Sequence, residues 1–141
     1  MYTVVEKVLL LQNVDLLSAA RTEDLALLAS ISEEVLYPAG ASIFEEGQPA
    51  DGLYVIIRGR VGLRKEGREV VNLGAKEALG AWTLFEAETR VMSASALDET
   101  LLLRVDREDF YDLLLDYPEL GQSILKALVK RLRSLITRAG A

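Results

Sequence analysis

Apolar residues recur at helical spacing near both ends of the chain and at strand spacing between them. From Val4 to Gln12 the residues Val4, Val5, Val8, Leu9 and Leu11 fall close to one side of a helix, which predicts a short helix that packs that side. Thr22 reads as an N-cap, Glu23 and Asp24 suit the positive helix end, and Leu25, Leu28 and Ala29 give an i, i+3, i+4 stripe for a second helix. Between the two, Asn13 to Ala20 reads as a loop whose Leu16 and Leu17 are expected to plug into the core.

The period then changes. Val35 to Tyr37, Ser42 to Phe44, Leu53 to Ile57, Val61 to Arg64, Val70 to Leu73, Val91 to Leu97 and Leu101 to Val105 are short apolar runs. Pro38, Gly40, Gly47, Pro49, Asp51-Gly52, Gly59, Glu66-Gly67, Gly74 and Asp98-Glu99 punctuate them. Strands at this spacing imply a mainly β fold, an antiparallel sandwich or jelly roll. Gly59, between Arg58 and Arg60, is expected at a positive φ.

Helical spacing returns at Asp106. That residue is expected to cap a third helix through Arg107 to Asp116, with Phe110, Leu113 and Leu114 inward and Pro118 marking its end. The last helix, Glu119 to about Arg138, carries Leu125, Leu128, Val129, Leu132, Leu135 and Ile136 along one face. Such a stripe is longer than one domain needs, so a homodimer through Leu125, Leu128, Leu132 and Leu135 is expected. Lys126, Lys130, Arg131, Arg133 and Arg138 read as a solvated surface near a helix C-terminus. The expected organisation is a single domain over 1–141: N-terminal helices in 1–30, a β-roll in 31–105 and C-terminal helices in 106–141.

Composition narrows the function. A length of 141 residues suits one domain with its own core, and 50% hydrophobic with 27% charged residues is globular. The absence of cysteine and histidine removes thiol catalysis, disulfides, zinc fingers and histidine acid–base chemistry. Only scattered carboxylates remain for catalysis, so an enzyme is not expected, nor is a cofactor. A net charge of -6 argues against nucleic acid as a partner. No run of about 18 apolar residues and no signal-peptide pattern occurs, so no membrane contact and a cytoplasmic location are expected.

The candidate chemistry lies between Leu79 and Ser93. Gly80 follows an apolar approach, Trp82 to Phe85 form a short apolar turn, Glu86 to Thr89 a polar bend, and Arg90 leads into a small-residue strand. Glycine lets backbone approach a ligand, a short helix N-terminus presents N–H groups, and arginine offers a planar two-pronged donor to phosphate oxygens. At this spacing the segment resembles the phosphate-binding cassette of the cyclic nucleotide-binding domain, in the register of Leu79, Gly80, Trp82, Leu84, Arg90 and Ser93. Tyr37-Pro38-Ala39-Gly40, Ile43 with Glu46-Gly47, and Gly52 through Val61 are similar to the family's opening strands. Asp106 to Phe110 and Tyr117 to Leu120 are similar to its first C-terminal helices.

The resemblance implies an antiparallel β-roll flanked by helices. It also implies a ligand, cyclic AMP or cyclic GMP, at Gly80, Ala81, Trp82, Arg90, Val91 and Ser93, with Arg90 on the cyclic phosphate. Two departures weaken the implied site. Ala81 stands where the family's glutamate holds the ribose 2′-hydroxyl, and Thr89 replaces the proline ahead of the arginine. Val91 also lacks the hydroxyl that some members carry. Two functions therefore stand open: a regulatory domain that binds a cyclic nucleotide or similar anion weakly if at all, and a docking or dimerisation module that kept the fold without the nucleotide. With no winged helix-turn-helix in the sequence, the expectation is a sensor domain alone, or one serving a larger parent protein such as a kinase, channel, transporter or repeat protein.

Overall fold

The computed structural model of the protein describes residues 1–80 and 89–138. Helix α1 (Val4–Leu11), a 3-10 turn (Asp15–Leu17) and helix α2 (Thr22–Ile31) precede the strands, and helices α3 (Arg107–Asp116) and α4 (Pro118–Arg138) follow them. The strands are β1 (Glu33–Tyr37), β2 (Ser42–Phe44), β3 (Gly52–Arg58), β4 (Val61–Lys65), β5 (Arg68–Leu73), β6 (Ala78–Leu79), β7 (Ser93–Ala96) and β8 (Thr100–Asp106). They form two antiparallel four-stranded sheets, ordered β1-β8-β3-β6 and β2-β7-β4-β5. This is the antiparallel β-roll with flanking helices implied by the strand spacing and the family resemblance.

The long central strand β3 shows how the layers are built. Its residues from Gly52 to Ile57 are all buried, unlike a strand with one wet face. Leu53, Val55 and Ile57 point to one side, where Leu101, Leu103 and Val105 of β8 meet Leu11, Leu25, Leu28, Phe110, Leu120 and Ile124 of the helices. Tyr54 and Ile56 point to the other side, into the roll, where they meet Phe44, Val61, Leu79, Ala94 and Leu102. The alternation of a strand thus feeds two separate cores, one outside the roll under the helices and one inside it. Leu16 and Leu17 enter the first core from the 3-10 turn, as the loop reading expected.

Local signals set most of the element ends. Asp106 caps α3 by accepting from the backbone N–H groups of Glu108 and Asp109. Pro118 opens α4 directly after Tyr117, a first-turn position where its missing N–H costs nothing. Gly59 takes a φ of +102°, and a Cβ there would lie 2.5 Å from Thr100 Oγ1 and 2.6 Å from the Glu99 carbonyl.

Some local readings need correction, and one strand went unread. The N-cap of α2 is Arg21, not Thr22, because Arg21 has the extended backbone that flanks a helix while Thr22 is already helical. Arg21 makes no side-chain cap; its guanidinium instead reaches the buried carboxylate of Asp24 through two hydrogen bonds of 3.3 Å. Strand β7 starts at Ser93 rather than Val91, since the chain before it is tied to the loop after β2. Strand β6 carries no periodic signal in its two residues and emerges only through its pairing of Leu79 with Tyr54.

Candidate functional site

Arg90 enters the site with its backbone clipped on both sides. Its N–H donates to the Gln48 carbonyl at 2.8 Å, its carbonyl accepts from Gly47 N at 2.9 Å, and Thr89 forms a bridge with Pro49. The loop from Glu45 to Asp51 therefore decides where the arginine points. Its side chain turns into the roll and is only 1% exposed.

Burying a guanidinium is costly unless hydrogen bonds and a counter-charge meet it. Here Nη2 donates to the Gly52 carbonyl at 2.8 Å and to Asp51 Oδ1 at 3.1 Å. The cation lies over the Phe44 ring, 4.1 Å from its centroid, and 5.8 Å from that of Tyr54. Asp51, unlike its partner, is largely exposed at 58%. A second arginine, Arg104 of β8, reaches the other oxygen of the same carboxylate, Oδ2, at 3.3 Å. Burial works against the charge of Arg104, but hydrogen bonding to Tyr54 and the fields of Asp51 and Asp106 outweigh it and hold the guanidinium above its ordinary pKa.

Gly80 lies against this arginine. It has a φ of +83°, and a Cβ built there would run into Nη1 of Arg90 and come within 3.0 Å of the Gly52 carbonyl. Only glycine lets the strand end and the guanidinium approach so closely. A cavity of about 240 Å³ opens beside the pair, walled by Phe44, Leu63, Leu73, Leu79, Val91 and Met92. An apolar cleft with one guanidinium at its edge can accept a small organic anion whose non-polar part fills the cleft and whose charge meets the arginine.

The structure brings Gly80, Arg90 and Val91 to this cavity. Val91 lies half exposed at its rim, its carbonyl accepting from Lys65 Nζ at 3.2 Å. Ser93 is turned elsewhere: its hydroxyl donates to Glu45 Oε2 at 3.1 Å and accepts from Glu46 N at 3.0 Å, which braces the loop after β2. Ala81, Trp82 and Leu84, with the turn from Trp82 to Phe85 and the bend up to Glu88, lie outside the described residues. Sequence reasoning missed Asp51, which it read only as half of an Asp-Gly turn, and missed Phe44 and Arg104. Asp51 and Arg90 are 39 positions apart, and no local pattern links them.

Among the described residues, eight strands rolled into two antiparallel sheets with helices at both ends define a β-roll domain, in which a glycine packs on a buried arginine. Residues 34–117, more than half of the chain, match the cyclic nucleotide-binding domain family, and the chain belongs to it. It is 32% identical over 114 residues to a CRP-like cAMP-activated global transcriptional regulator of Mycobacterium tuberculosis, a match covering 77% of this chain and 51% of the relative. It is 30% identical over 124 residues to an uncharacterised NTE family protein of Mycobacterium bovis, covering 87% of this chain and 21% of that protein. Among solved structures it resembles the N-terminal domain of a transcriptional regulator from Streptomyces coelicolor A3(2), with a TM-score of 0.80 and 33% identity over 89% of this chain and 94% of that one. The chain thus spans about half the length of the curated regulator it matches. Among the described residues no helix is long and apolar enough to cross a membrane.

Proposed function

We propose that this chain is a non-catalytic sensor domain that takes a cyclic nucleoside monophosphate weakly, its phosphate on Arg90 and its non-polar portion in the cleft beside Phe44 and Leu79. The observation that carries this reading is the buried Arg90 guanidinium at the edge of an apolar cavity, with Gly80 making room for it. Weakness is expected because Ala81 replaces the family's glutamate; one lost hydrogen bond to the ribose costs roughly 1–3 kcal/mol, or about ten- to a hundredfold in affinity. A differential affinity of the ligand for two positions of the C-terminal helices would then pass the signal to an attached partner. Similarity to a cAMP-activated regulator supports cyclic AMP as the first ligand to try.

Helix α4 supports a homodimer as the working state. Its buried side, with Leu120, Ile124 and Ala127, packs on the chain's own core, while Leu125, Val129, Leu132, Leu135 and Ile136 are 49–62% exposed. Helix α1 does not cover them; its own Val5 and Leu9 face solvent as well. A continuous apolar stripe of this length on water favours a self-complementary contact with a second copy.

A second reading has its own observation. The Nη2 group of Arg90 already holds Asp51 and Gly52 within the chain, so the fold is self-sufficient there, and a docking or dimerisation module would keep the same arrangement. A thermal-shift titration of the whole chain with cyclic AMP and cyclic GMP separates the two, since a ligand of the native state raises its melting temperature. The sensor reading expects a saturable rise with at least one nucleotide, lost in Arg90→Gln. No rise with either nucleotide at millimolar concentration would leave the docking module as the function.

A further inference from the structure

The inward face of helix α4 changes character halfway along. Leu120, Ile124 and Ala127 are buried on the core, and the same face continues at helical spacing with Arg131 and Ser134. There two adjoining cavities open between α4, the 3-10 turn and the loop ahead of β6. One, of about 260 Å³, is lined by Asn13, Asp15, Lys76, Glu77, Gly80 and Arg131. The other, of about 410 Å³, shares Asp15 and Arg131 and adds Ser18, Lys130 and Ser134. We propose that the two form a second anion site, which takes an oligophosphate along Lys76, Arg131 and Lys130. This site stands independently of the reading of Arg90, whose side chain turns into the roll.

Charge favours such a ligand. From Leu120 to Arg138, α4 carries Lys126, Lys130, Arg131, Arg133 and Arg138 and no carboxylate, in a chain whose net charge is -6. Arg131 Nη1 meets Asp15 Oδ2 at 3.0 Å, in a pair whose carboxylate is 82% exposed and whose guanidinium is 49% exposed. Exposed pairs of this kind hold weakly, so an ion with more charge than one carboxylate can displace Asp15 into solvent. The other carboxylate, Glu77, is turned back on its own loop, where it accepts from Gly74 N at 3.0 Å. The side chains of Lys76 and Lys130 make no hydrogen bond or ion pair among the described residues.

Lys76 also holds a left-handed backbone, with a φ of +75° and its N–H donating to the Ile56 carbonyl at 2.8 Å. Glycine would meet that φ without strain, so the turn alone gives no reason for a lysine. Its side chain supplies a cation from the roll where Arg131 supplies one from α4. Three cations spread over two joined cavities suit an extended ion with several phosphate groups, since guanidinium and ammonium donors each take phosphate oxygens. Lys130, Arg131 and Ser134 lie on the side of α4 away from Leu125, Val129 and Leu132, so a dimer formed through that stripe leaves the site open.

The test is a calorimetric titration of the full chain with pyrophosphate at fixed ionic strength. Saturable binding of one ion per chain is expected, weakened roughly ten- to a hundredfold in Arg131→Gln and in Lys76→Gly, the weight of one charge-assisted contact. Lys76→Gly removes the cation and relieves the backbone, so its urea midpoint is expected to be no lower than the parent's and its lost binding is not unfolding. Asp15→Asn removes the competitor and is expected to tighten binding about two- to fivefold. No saturable binding at millimolar pyrophosphate overturns the site, as does binding that survives both Lys76→Gly and Arg131→Gln. Binding lost in a folded Arg90→Gln but kept in Arg131→Gln would place the ion in the other cavity and overturn it too. Orthophosphate binding as tightly as pyrophosphate would overturn the oligophosphate as ligand. ADP then separates the two sources of such an ion: binding at least as tight as that of pyrophosphate assigns a nucleotide tail, and weaker binding assigns the free inorganic ion.

Discussion

The guanidinium carbon of Arg90 lies over the Phe44 ring, 4.1 Å from its centroid, at the one place where the interior of the roll holds a buried cation among its described residues. The ring is the apolar half of a clamp whose polar half is Asp51 and Gly52.

Phe44→Leu keeps a hydrophobic side chain but removes that half of the clamp. Losing a desolvated cation–π contact and part of the ring volume should destabilise the fold by roughly 1–3 kcal/mol in urea unfolding. A variant as stable as the parent would show that Asp51 and Gly52 alone compensate the buried charge.

Gly80→Ala should be costly for two reasons at once. The left-handed backbone resists a side chain by roughly 1–2 kcal/mol, and the added methyl collides with Arg90 Nη1. We expect a lower urea midpoint together with weaker anion binding. Retention of both would mean that the strand end relaxes without disturbing the arginine.

Leu132→Glu probes the exposed stripe of α4. Leu132 is 58% exposed, so the monomer should fold with its stability changed by less than about 0.5 kcal/mol. Sedimentation velocity at tens of micromolar should show a dimer for the parent and a monomer for the variant. A monomeric parent would remove α4 as a self-association surface.

Ala81→Glu tests the missing ribose contact. Calorimetry should show cyclic AMP binding about ten- to a hundredfold tighter than in the parent. Failure to improve binding in a folded variant would favour the docking module over the weakened sensor.

Strong acid should loosen the capping box at the N-terminus. The Thr3 backbone N–H donates to Glu6 at 2.9 Å and the Thr3 hydroxyl accepts from Glu6 N, and the Thr3 contacts hold the Glu6 carboxyl below its ordinary pKa. A lowered folded pKa means stability present above the ordinary glutamate value and lost as pH falls through the lowered one. An NMR titration should find Glu6 below the usual glutamate range in the parent and closer to it in Thr3→Ala, which keeps the backbone N–H but loses the hydroxyl. An unchanged value would mean that the capping box does not persist in solution.

What was legible in advance was whatever local spacing encodes. The bounds of β2 and α3, the α3 cap at Asp106, the positive φ of Gly59 and the two buried leucines of the 3-10 turn all follow from a few neighbouring residues. Each is a backbone preference or an amphipathic period that needs no knowledge of the rest of the chain. The cassette register from Gly80 to Arg90 was legible as well, through family resemblance, and with it the fold.

Alone, then, the sequence determined the helices, every described strand except β6, their order, the β-roll and the arginine of the cassette. Tertiary structure decided the surroundings of that arginine. The loop after β2 fixes its backbone, Asp51 meets it across 39 residues, Phe44 lies under it, and Ser93 is drawn away to Glu45. It also decided that Arg104 and Arg90 share one carboxylate. Helices and strands repeat along the chain and so leave a period to read, but a buried charge chooses its partners through space, and that choice exists only once both cores have closed.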